Sequence, residues 1–398
     1  MGSWLKKILI LIVICGIYLM ANQLVFAASN DSADTDRNLS NNQLLEEVSL
    51  QDTNEFWENI KTDYGAYLPD LQGVSLRQFL QDQNILSMKD WFKAIITYIG
   101  YEILASGELL GTLIVLSLCS IVLHMIQNSF ESSTVSKVSD LVVILVLFVL
   151  AMQSFQVASS YVTETVMQMR DFMVALLPLM LGLMASFGSL TAVSFFHPII
   201  VSCMHITVLL INYLIIPLFF ISAILQMVSA LNDSFQVTKL AQLLKNTGLA
   251  LLGILLTIFL SVVSVQGATS AIQDGVAMKT TKFVTGNFIP VVGKLFTDAT
   301  DTVLSASLLL KNAVGIVGVI ILIVIVLFPA IKIFVISFIY KISIAIIQPL
   351  GNGPVLKCLD IMSKHILYLF AALLTVSLMF FLMIVIIVIA SNITLMLR

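Results

Sequence analysis

The sequence predicts an all-α, polytopic membrane protein with seven or eight spans, and its composition and long uncharged runs lead to that prediction. Of its 398 residues, 59% are hydrophobic and only 11% are charged, and the mean hydropathy is +1.03. Soluble globular chains average about 45–50% apolar and roughly 25% charged residues. This chain therefore has too few charges to cover a water-facing surface of its size. The composition excludes a nucleic-acid-binding protein and an ordinary soluble enzyme.

Residues 1–27 have the pattern of a secretory signal peptide. Lys6 and Lys7 form a short basic region, and an apolar run occupies residues 8–21. In Val25-Phe26-Ala27, the first and last residues provide the small side chains that a signal peptidase needs. The apolar run is shorter than the roughly 20 residues that a spanning helix needs. An uncleaved anchor stays an alternative, and in either case the following residues begin outside the cytoplasm.

Residues 28–92 are predicted to form an acidic extracytoplasmic helical segment. Twelve Asp and Glu residues against four Lys and Arg give this segment a net charge of −8. Apolar residues such as Phe56, Trp57 and Ile60 recur at helical intervals, which predicts amphipathic helices. Two interpretations stay open, a helical cap lying on the bilayer or a docking surface for an extracytoplasmic partner.

Uncharged runs locate the spans within a multi-spanning domain at residues 93–398. The runs are Leu109–Phe130, Leu141–Thr163, Phe172–Asn232, Asn246–Gln273, Asn312–Ile331 and Ile366–Leu397. A helix of about 20 residues crosses a hydrocarbon core roughly 30 Å thick. Phe172–Asn232 is long enough to hold two or three spans. The positive-inside rule places residues 131–140 in the cytoplasm and leaves the later topology open.

Proline spacing suggests an internal duplication, with candidate repeats at residues 141–252 and 253–364. Pro290 follows Pro178, and Pro329 follows Pro217, by the same 112 positions. We expect Pro178, Pro217 and Pro329 to break their helices. Duplicated halves with broken helices are typical of transporters, whose broken ends face a cavity near the membrane mid-plane. The alternative is that these prolines only kink spanning helices.

The polar stretch at residues 264–312 carries the candidate functional residues. From Val291 onward the spacing of polar side chains predicts an amphipathic helix. Burying a charge in lipid costs about 2.5–3.5 kcal/mol, so these side chains must face water, one another or a partner. Three interpretations stay open: a surface helix, a conduit-lining or gating helix, and a docking site for another subunit. The conduit-lining or partner-docking candidates are Lys282, Asn287, Pro290, Lys294, Asp298 and Asp301.

The same stretch resembles a known family. The run KTTKFVTGNFIPVVGK at residues 279–294, followed by DATDTV at 298–303 and LLKNAVG at 309–315, is similar to the stage III sporulation protein AE family of endospore-forming bacteria. The chain length, the signal peptide, the acidic outer segment and the multi-spanning remainder agree with that family over essentially the whole chain.

The resemblance implies a role and a set of partners. It implies a multi-pass subunit of a secretion-like channel complex in the mother-cell membrane that surrounds the forespore. Such a complex is needed for forespore development and late forespore gene expression. The implied partners are a cytoplasmic ATPase, small membrane proteins, ring-forming subunits and, indirectly, a forespore-membrane protein. The alternative function is a stand-alone secondary transporter or permease of small metabolites, which the repeat and the prolines suggest.

No catalytic, cofactor or metal motif is present in the sequence. It contains no Walker A run, no HExxH and no GxSxG, and none of its four cysteines forms a CxxC pair. We therefore predict no enzyme activity, no cofactor and no metal site, and a lipid membrane but no nucleic acid as a partner. Glu102 beside the first span fits an interface position better than proton coupling, and Asn212 and Gln226 are expected to bond to neighbouring helices.

Overall fold

The computed structural model describes residues 51–65, 73–76, 78, 88–129, 134–186, 190–231, 237–262, 292–350 and 354–396, with backbone alone at stretches that include 88–91, 123–129, 134–141, 292–311 and 391–396. Almost every regular element in these ranges is an α-helix, which confirms the predicted class. The predicted signal peptide at residues 1–27 lies outside the described residues. The helices are α1 (Gln51–Tyr64), α2 (Met88–Ala105), α3 (Gly107–Ser129), α4 (Thr134–Ser186), α5 (Leu190–Leu210), α6 (Ile216–Leu231), α7 (Thr238–Val262), α8 (Val292–Ile347) and α9 (Pro354–Met396).

Five of the described helical stretches are long and apolar enough to cross a membrane. They are Ile144–Leu183, His197–Ala230, Thr238–Val262, Asn312–Leu350 and Pro354–Ile389. The helices α2 and α3 meet at an angle of 44°, and together they make a sixth candidate span. The described residues thus contain five or six candidate spans, where the sequence predicted seven or eight.

The difference arises mainly in α4, which is one helix of 53 residues. It contains the whole predicted span Leu141–Thr163 and continues past Phe172, so the run Phe172–Asn232 adds one further span. Glu164 and Arg170 separate the two apolar runs in the sequence but not the helix. Glu and Arg are good helix formers, so charged residues mark the end of an apolar run without ending the helix.

The prolines do not act as the sequence predicted. Pro178 and Pro329 each lie inside a continuous helix, so the expected breaks there are wrong. A proline removes one backbone hydrogen bond and crowds the preceding turn, but packed neighbours make this tolerable in membrane helices. Pro217 instead follows a π-helical turn at Ile211–Ile215, in which the Ile216 N–H donates to the Ile211 carbonyl. These different surroundings do not confirm the duplication, which stays a prediction.

The helices α4, α8 and α9 form the core of the bundle, and α4 packs antiparallel to α8. Tyr340 bonds to Ser154, and the backbone of Gly318 lies against Leu176. Between these two contacts the residue number falls by 22 on α8 and rises by 22 on α4. The register is therefore constant over about six turns.

Helix α8 is much longer than a membrane is thick. Its 56 residues rise about 84 Å, against a hydrocarbon core of roughly 30 Å. When the register is extended at the same rate, Ser186 at the end of α4 lies level with about residue 308 of α8. Gly318 is also close to Ile384 of α9, which puts Met396 level with about residue 306. The first turns of α8 therefore extend past the ends of both helices.

Helix α1 packs onto this core with its apolar face. Trp57 and Ile60 are buried, and the ring of Phe56 meets the ring of Phe172 edge-on with centroids 5.5 Å apart. The indole N–H of Trp57 donates to the carbonyl of Val74 at 3.0 Å. The apolar face of this amphipathic helix thus packs against the protein core.

Candidate functional site

Polar side chains from several helices gather in one part of the bundle. We define the polar belt as Lys332, Ser337, Tyr340 and Lys341 of α8 together with the side chains that contact them and the neighbouring Ser222–His365 pair. These positions on α8 extend over about 14 Å along the helix axis. Placing a polar side chain inside a membrane span costs free energy, and such side chains usually pair with one another. We therefore take the belt as the candidate functional site of the described structure.

Hydrogen bonds in the belt connect the three core helices. The Tyr340 hydroxyl donates to Ser154 Oγ at 2.8 Å, and Ser154 Oγ donates to the carbonyl of Leu150 at 2.9 Å. Ser337 Oγ donates to the carbonyl of Ser363 at 2.9 Å, and Ser363 Oγ donates to the carbonyl of Ser337 at 3.0 Å. The reciprocal serine pair fixes α9 against α8, while Tyr340 fixes α4 at the same level.

A charged triad lies at the end of the belt nearest the α8–α9 connection. Lys341 Nζ is 2.6 Å from Asp360 Oδ1, and Lys364 Nζ pairs with the other carboxylate oxygen. All three side chains are about one-third to one-half exposed. One carboxylate thus holds two ammonium groups together at the hairpin end, where water or lipid headgroups can reach them.

Lys332 brings a positive charge into the middle of a candidate span. Its Nζ lies 5.1 Å from the centre of the Tyr161 ring, which is within the range of a cation–π interaction. Glu102 of α2 is partly buried and lies within electrostatic range of Lys332. Glu102 therefore has a positively charged neighbour on α8, and the interface position that the sequence favoured for it stays a prediction.

Ser222 and His365 resemble a nucleophile–base pair in distance but not in surroundings. Ser222 Oγ is 3.1 Å from His365 Nε2, yet Ser222 is fully buried and donates to the carbonyl of Ala241 at 2.7 Å. His365 Nδ1 lies 2.8 Å from the carbonyl of Ile361 and not beside a carboxylate. A hydroxyl that no substrate can reach cannot act as a nucleophile. The role of the pair is structural, because its hydrogen bonds connect α6, α7 and α9.

Two polar residues of the α5–α6 region have different surroundings. Gln226 Nε2 approaches Ser222 Oγ of its own helix at 3.5 Å, where the sequence predicted a bond to a neighbouring helix. Asn212, in the π-helical turn, has a buried side-chain amide without a hydrogen-bond partner among the described residues.

Across those same residues, no group of three or more His, Cys, Asp or Glu side chains lies close enough to hold a metal ion.

The sequence-predicted residues fall largely outside the belt. Lys282, Asn287 and Pro290 lie outside the described residues, and nothing tests their predicted roles. Lys294, Asp298 and Asp301 belong to the backbone of α8, which begins at Val292 and continues without interruption into the span. The predicted amphipathic helix is thus the first part of α8 and not a separate element.

Sequence reasoning did not select the belt residues. Lys332 served only to mark the end of the uncharged run Asn312–Ile331, and Lys341 and Asp360 were not used at all. The sequence did contain a signal for these residues, because each is a charge inside a hydrophobic stretch of more than 35 residues. Such charges commonly mark functional positions in membrane proteins.

Comparisons with known proteins identify the family. The sequence profile described as Stage III sporulation protein AE (spore_III_AE) matches residues 72–391. Stage III sporulation protein AE of Bacillus subtilis (strain 168) is 49% identical over 380 residues, which cover 94% of this chain and 95% of the relative. No solved structure matches the chain significantly. With a match over most of its length and apolar helices fit to span a membrane, this chain belongs to the stage III sporulation protein AE family of sporulation proteins.

Proposed function

We propose that the chain is the multi-pass membrane subunit of a secretion-like channel complex that links mother cell and forespore. In this role it lies in the mother-cell membrane around the forespore and supports forespore development and late forespore gene expression. The observation that carries the proposal is the family match over residues 72–391, joined to a bundle with five or six candidate spans. We also propose that it works with a cytoplasmic ATPase, small membrane proteins and ring-forming subunits, and indirectly with a forespore-membrane protein.

The length of α8 supports a role for partners. Its first turns extend past the ends of α4 and α9 and carry Lys294, Asp298 and Asp301. Lys294 and Asp298 are four residues apart and therefore share a helix face, so one partner could contact both charges. This part of α8 is the proposed docking or conduit-lining element, to which the preceding residues Lys282, Asn287 and Pro290 also belong.

A stand-alone transporter of small metabolites is the second candidate. The partly buried Glu102 near Lys332, and the π-helical turn before Pro217, favour it, because ionisable pairs and irregular helices recur in transporter cores. It differs from the first proposal in one respect that can be tested, since a transporter needs no other subunit to move its solute.

Co-purification from sporulating cells tests the proposal. The affinity-tagged chain, extracted in mild detergent, is expected to bring the ATPase and the ring-forming subunits with it. Lys294→Asp and Asp298→Lys are each expected to reduce this recovery and the spore yield while the chain stays inserted in the membrane. Recovery of the tagged chain without other subunits would contradict the proposal.

A matched control uses the same two charges. The double variant Lys294→Asp with Asp298→Lys exchanges the charges and keeps an opposite-charge pair four residues apart on the helix. If a partner recognises the charges, the double variant should fail as the single variants do. Restored recovery in the double variant would instead mean that the charges only stabilise the helix.

A further inference from the structure

The hairpin end of α8 and α9 carries an excess of positive charge. Four lysines from three helices lie there around a single carboxylate, and we call them the lysine patch. The patch comprises Lys341 of α8, Lys357 and Lys364 of α9, and Lys245 of α7, with Asp360 between them. Four ammonium groups against one carboxylate leave a net charge of +3. The patch therefore keeps positive charge that Asp360 alone does not neutralise.

Contacts between the helices hold the patch together. Lys341 and Lys364 pair with the two oxygens of Asp360, and their side chains stay 48% and 54% exposed. Lys245 Nζ lies 5.8 Å from the centre of the Tyr368 ring, which follows Lys364 by one helical turn. Like charges repel one another, so Asp360 holds the ammonium groups of Lys341 and Lys364 closer together than they would lie alone. An anion that contacts both is attracted by two positive charges at once.

The two ammonium groups have hydrogen-bond donors left for such an anion. Each ammonium carries three N–H donors, and Asp360 accepts one from Lys341 and one from Lys364. The remaining donors suit a negatively charged acceptor with several oxygens, such as phosphate. Lys357 precedes Lys364 by seven positions, so it shares this exposed face of α9 and adds a further charge toward the hairpin.

The depth of the patch fits that of a lipid headgroup. Lys364 is the last Lys, Arg, Asp or Glu on α9 before the uncharged run Ile366–Leu397. That run is long enough to cross a hydrocarbon core, which takes about 20 residues. Lipid phosphates lie just outside the core, and the long stems of lysines near span ends let their ammonium groups reach them.

An exposed apolar surface continues from the patch toward the middle of the bundle. Phe334, Phe338 and Lys341 recur at intervals of four and three positions, so they share one face of α8. The two rings are 45% and 43% exposed, and they stack with centroids 6.1 Å apart. Leu367, which follows Lys364 by three positions, is also exposed on the neighbouring helix α9. A lipid whose phosphate meets the patch has this surface beside its acyl chain.

We propose that the lysine patch is a binding site for an anionic phospholipid. The phosphate lies between Lys341 and Lys364, and one acyl chain lies along Phe334 and Phe338. A free phosphate would use the charges only, whereas a lipid uses both the charges and the apolar surface beside them. The proposal goes beyond the channel role and does not depend on it.

Lipid titration of the full chain tests the charges. The chain, freed of lipid in a mild detergent, is titrated with phosphatidylglycerol, and native mass spectrometry measures the dissociation constant of the tightest-bound lipid. Lys341→Gln and Lys364→Gln are each expected to weaken binding about five-fold. Lys364→Arg keeps the charge and should stay within about two-fold of the unsubstituted chain.

The matched control for the charges is Lys239→Gln, since Lys239 is an exposed lysine of α7 outside the patch. It should change the dissociation constant by less than about two-fold, because the bound phosphate does not contact it. A loss in either glutamine variant of the patch that is no larger than the loss in this control would overturn the proposal. A loss in Lys364→Arg as large as that in Lys364→Gln would overturn it too.

A second set of measurements identifies the class of ligand. Phosphatidylcholine carries the same phosphate but no net charge, and it should bind at least about ten-fold more weakly than phosphatidylglycerol. Millimolar inorganic phosphate should not displace the bound lipid. Equal binding of the two lipids would overturn the proposal. Displacement by phosphate would do so as well, because the patch would then be a site for a soluble anion.

The apolar part of the site has its own test. Phe338→Ala should weaken phosphatidylglycerol binding by about two- to five-fold, because the acyl chain loses part of its apolar contact. Phe92→Ala is the control, since Phe92 is 62% exposed on α2, away from the patch. Equal effects of the two substitutions would overturn the proposal, because a ligand bound by charge alone, such as an acidic protein segment, does not need the Phe338 ring.

Discussion

Gly248→Ala is expected to destabilise the bundle, because α7 packs closely against α6 at this residue. A Cβ atom added at position 248 would lie 2.6 Å from Cε1 and 3.1 Å from Cδ1 of Phe219. Carbon atoms pack at about 3.5–4.0 Å, so the ring would have to move by about 1 Å. Phe219 is fully buried, and its ring centre lies 5.8 Å from that of Tyr368, which limits this movement.

The size of the effect follows from two opposing contributions. Overpacking of a core costs about 1–3 kcal/mol, whereas alanine is a better helix former than glycine by about 1 kcal/mol. Gly111→Ala is the matched control, since a Cβ atom there meets nothing within 4 Å. Both variants gain the same helix propensity, so Gly248→Ala should be the less stable by about 1–3 kcal/mol.

Unfolding of the purified chain in mixed micelles, titrated with a denaturing detergent, measures the difference. The comparison between the two variants cancels effects of the micelle that act on both. Free energies of unfolding that agree within about 0.5 kcal/mol would refute the packing of Phe219 against α7.

Two further predictions concern the polar belt. In a double-mutant cycle measured by the same titration, Ser337→Ala and Ser363→Ala should show a coupling free energy of about 0.5–1.5 kcal/mol, because the two serines bond reciprocally. Strict additivity of the two single effects would contradict this prediction. Asp360→Asn should lower stability more than Lys364→Gln, because the first leaves two ammonium groups without their shared carboxylate and the second leaves the Lys341–Asp360 pair intact. The difference should shrink in high salt, and the reverse order would contradict the triad.

Spans that contain one long uncharged run were predictable. The predicted runs Asn246–Gln273, Asn312–Ile331 and Ile366–Leu397 each overlap one candidate span of the structure. Their hydrophobicity alone places them, because an apolar helix of this length satisfies its own backbone in lipid. In α4 the same reasoning failed, because charges such as Glu164 end an apolar run without ending a helix.

The polar belt was not predictable from spacing along the chain. Tyr340 and Ser154 are 186 positions apart, and Ser222 and His365 are 143 apart. Such pairs meet only through the register of packed helices, which side-chain periodicity on one helix does not specify. The predicted residues of the stretch 264–312 were selected because they are close in sequence, and the structure tests the roles of none of them.

The central functional claim is that this chain acts as part of an assembly and moves nothing alone. The most direct measurement is solute flux in liposomes that contain only the purified, folded chain, with and without an ion gradient. We expect the flux of small metabolites to equal that of empty liposomes, and to rise only when the ATPase and ring-forming subunits are added. Gradient-driven, saturable uptake by the chain alone, abolished by Glu102→Gln, would contradict the claim and favour a transporter.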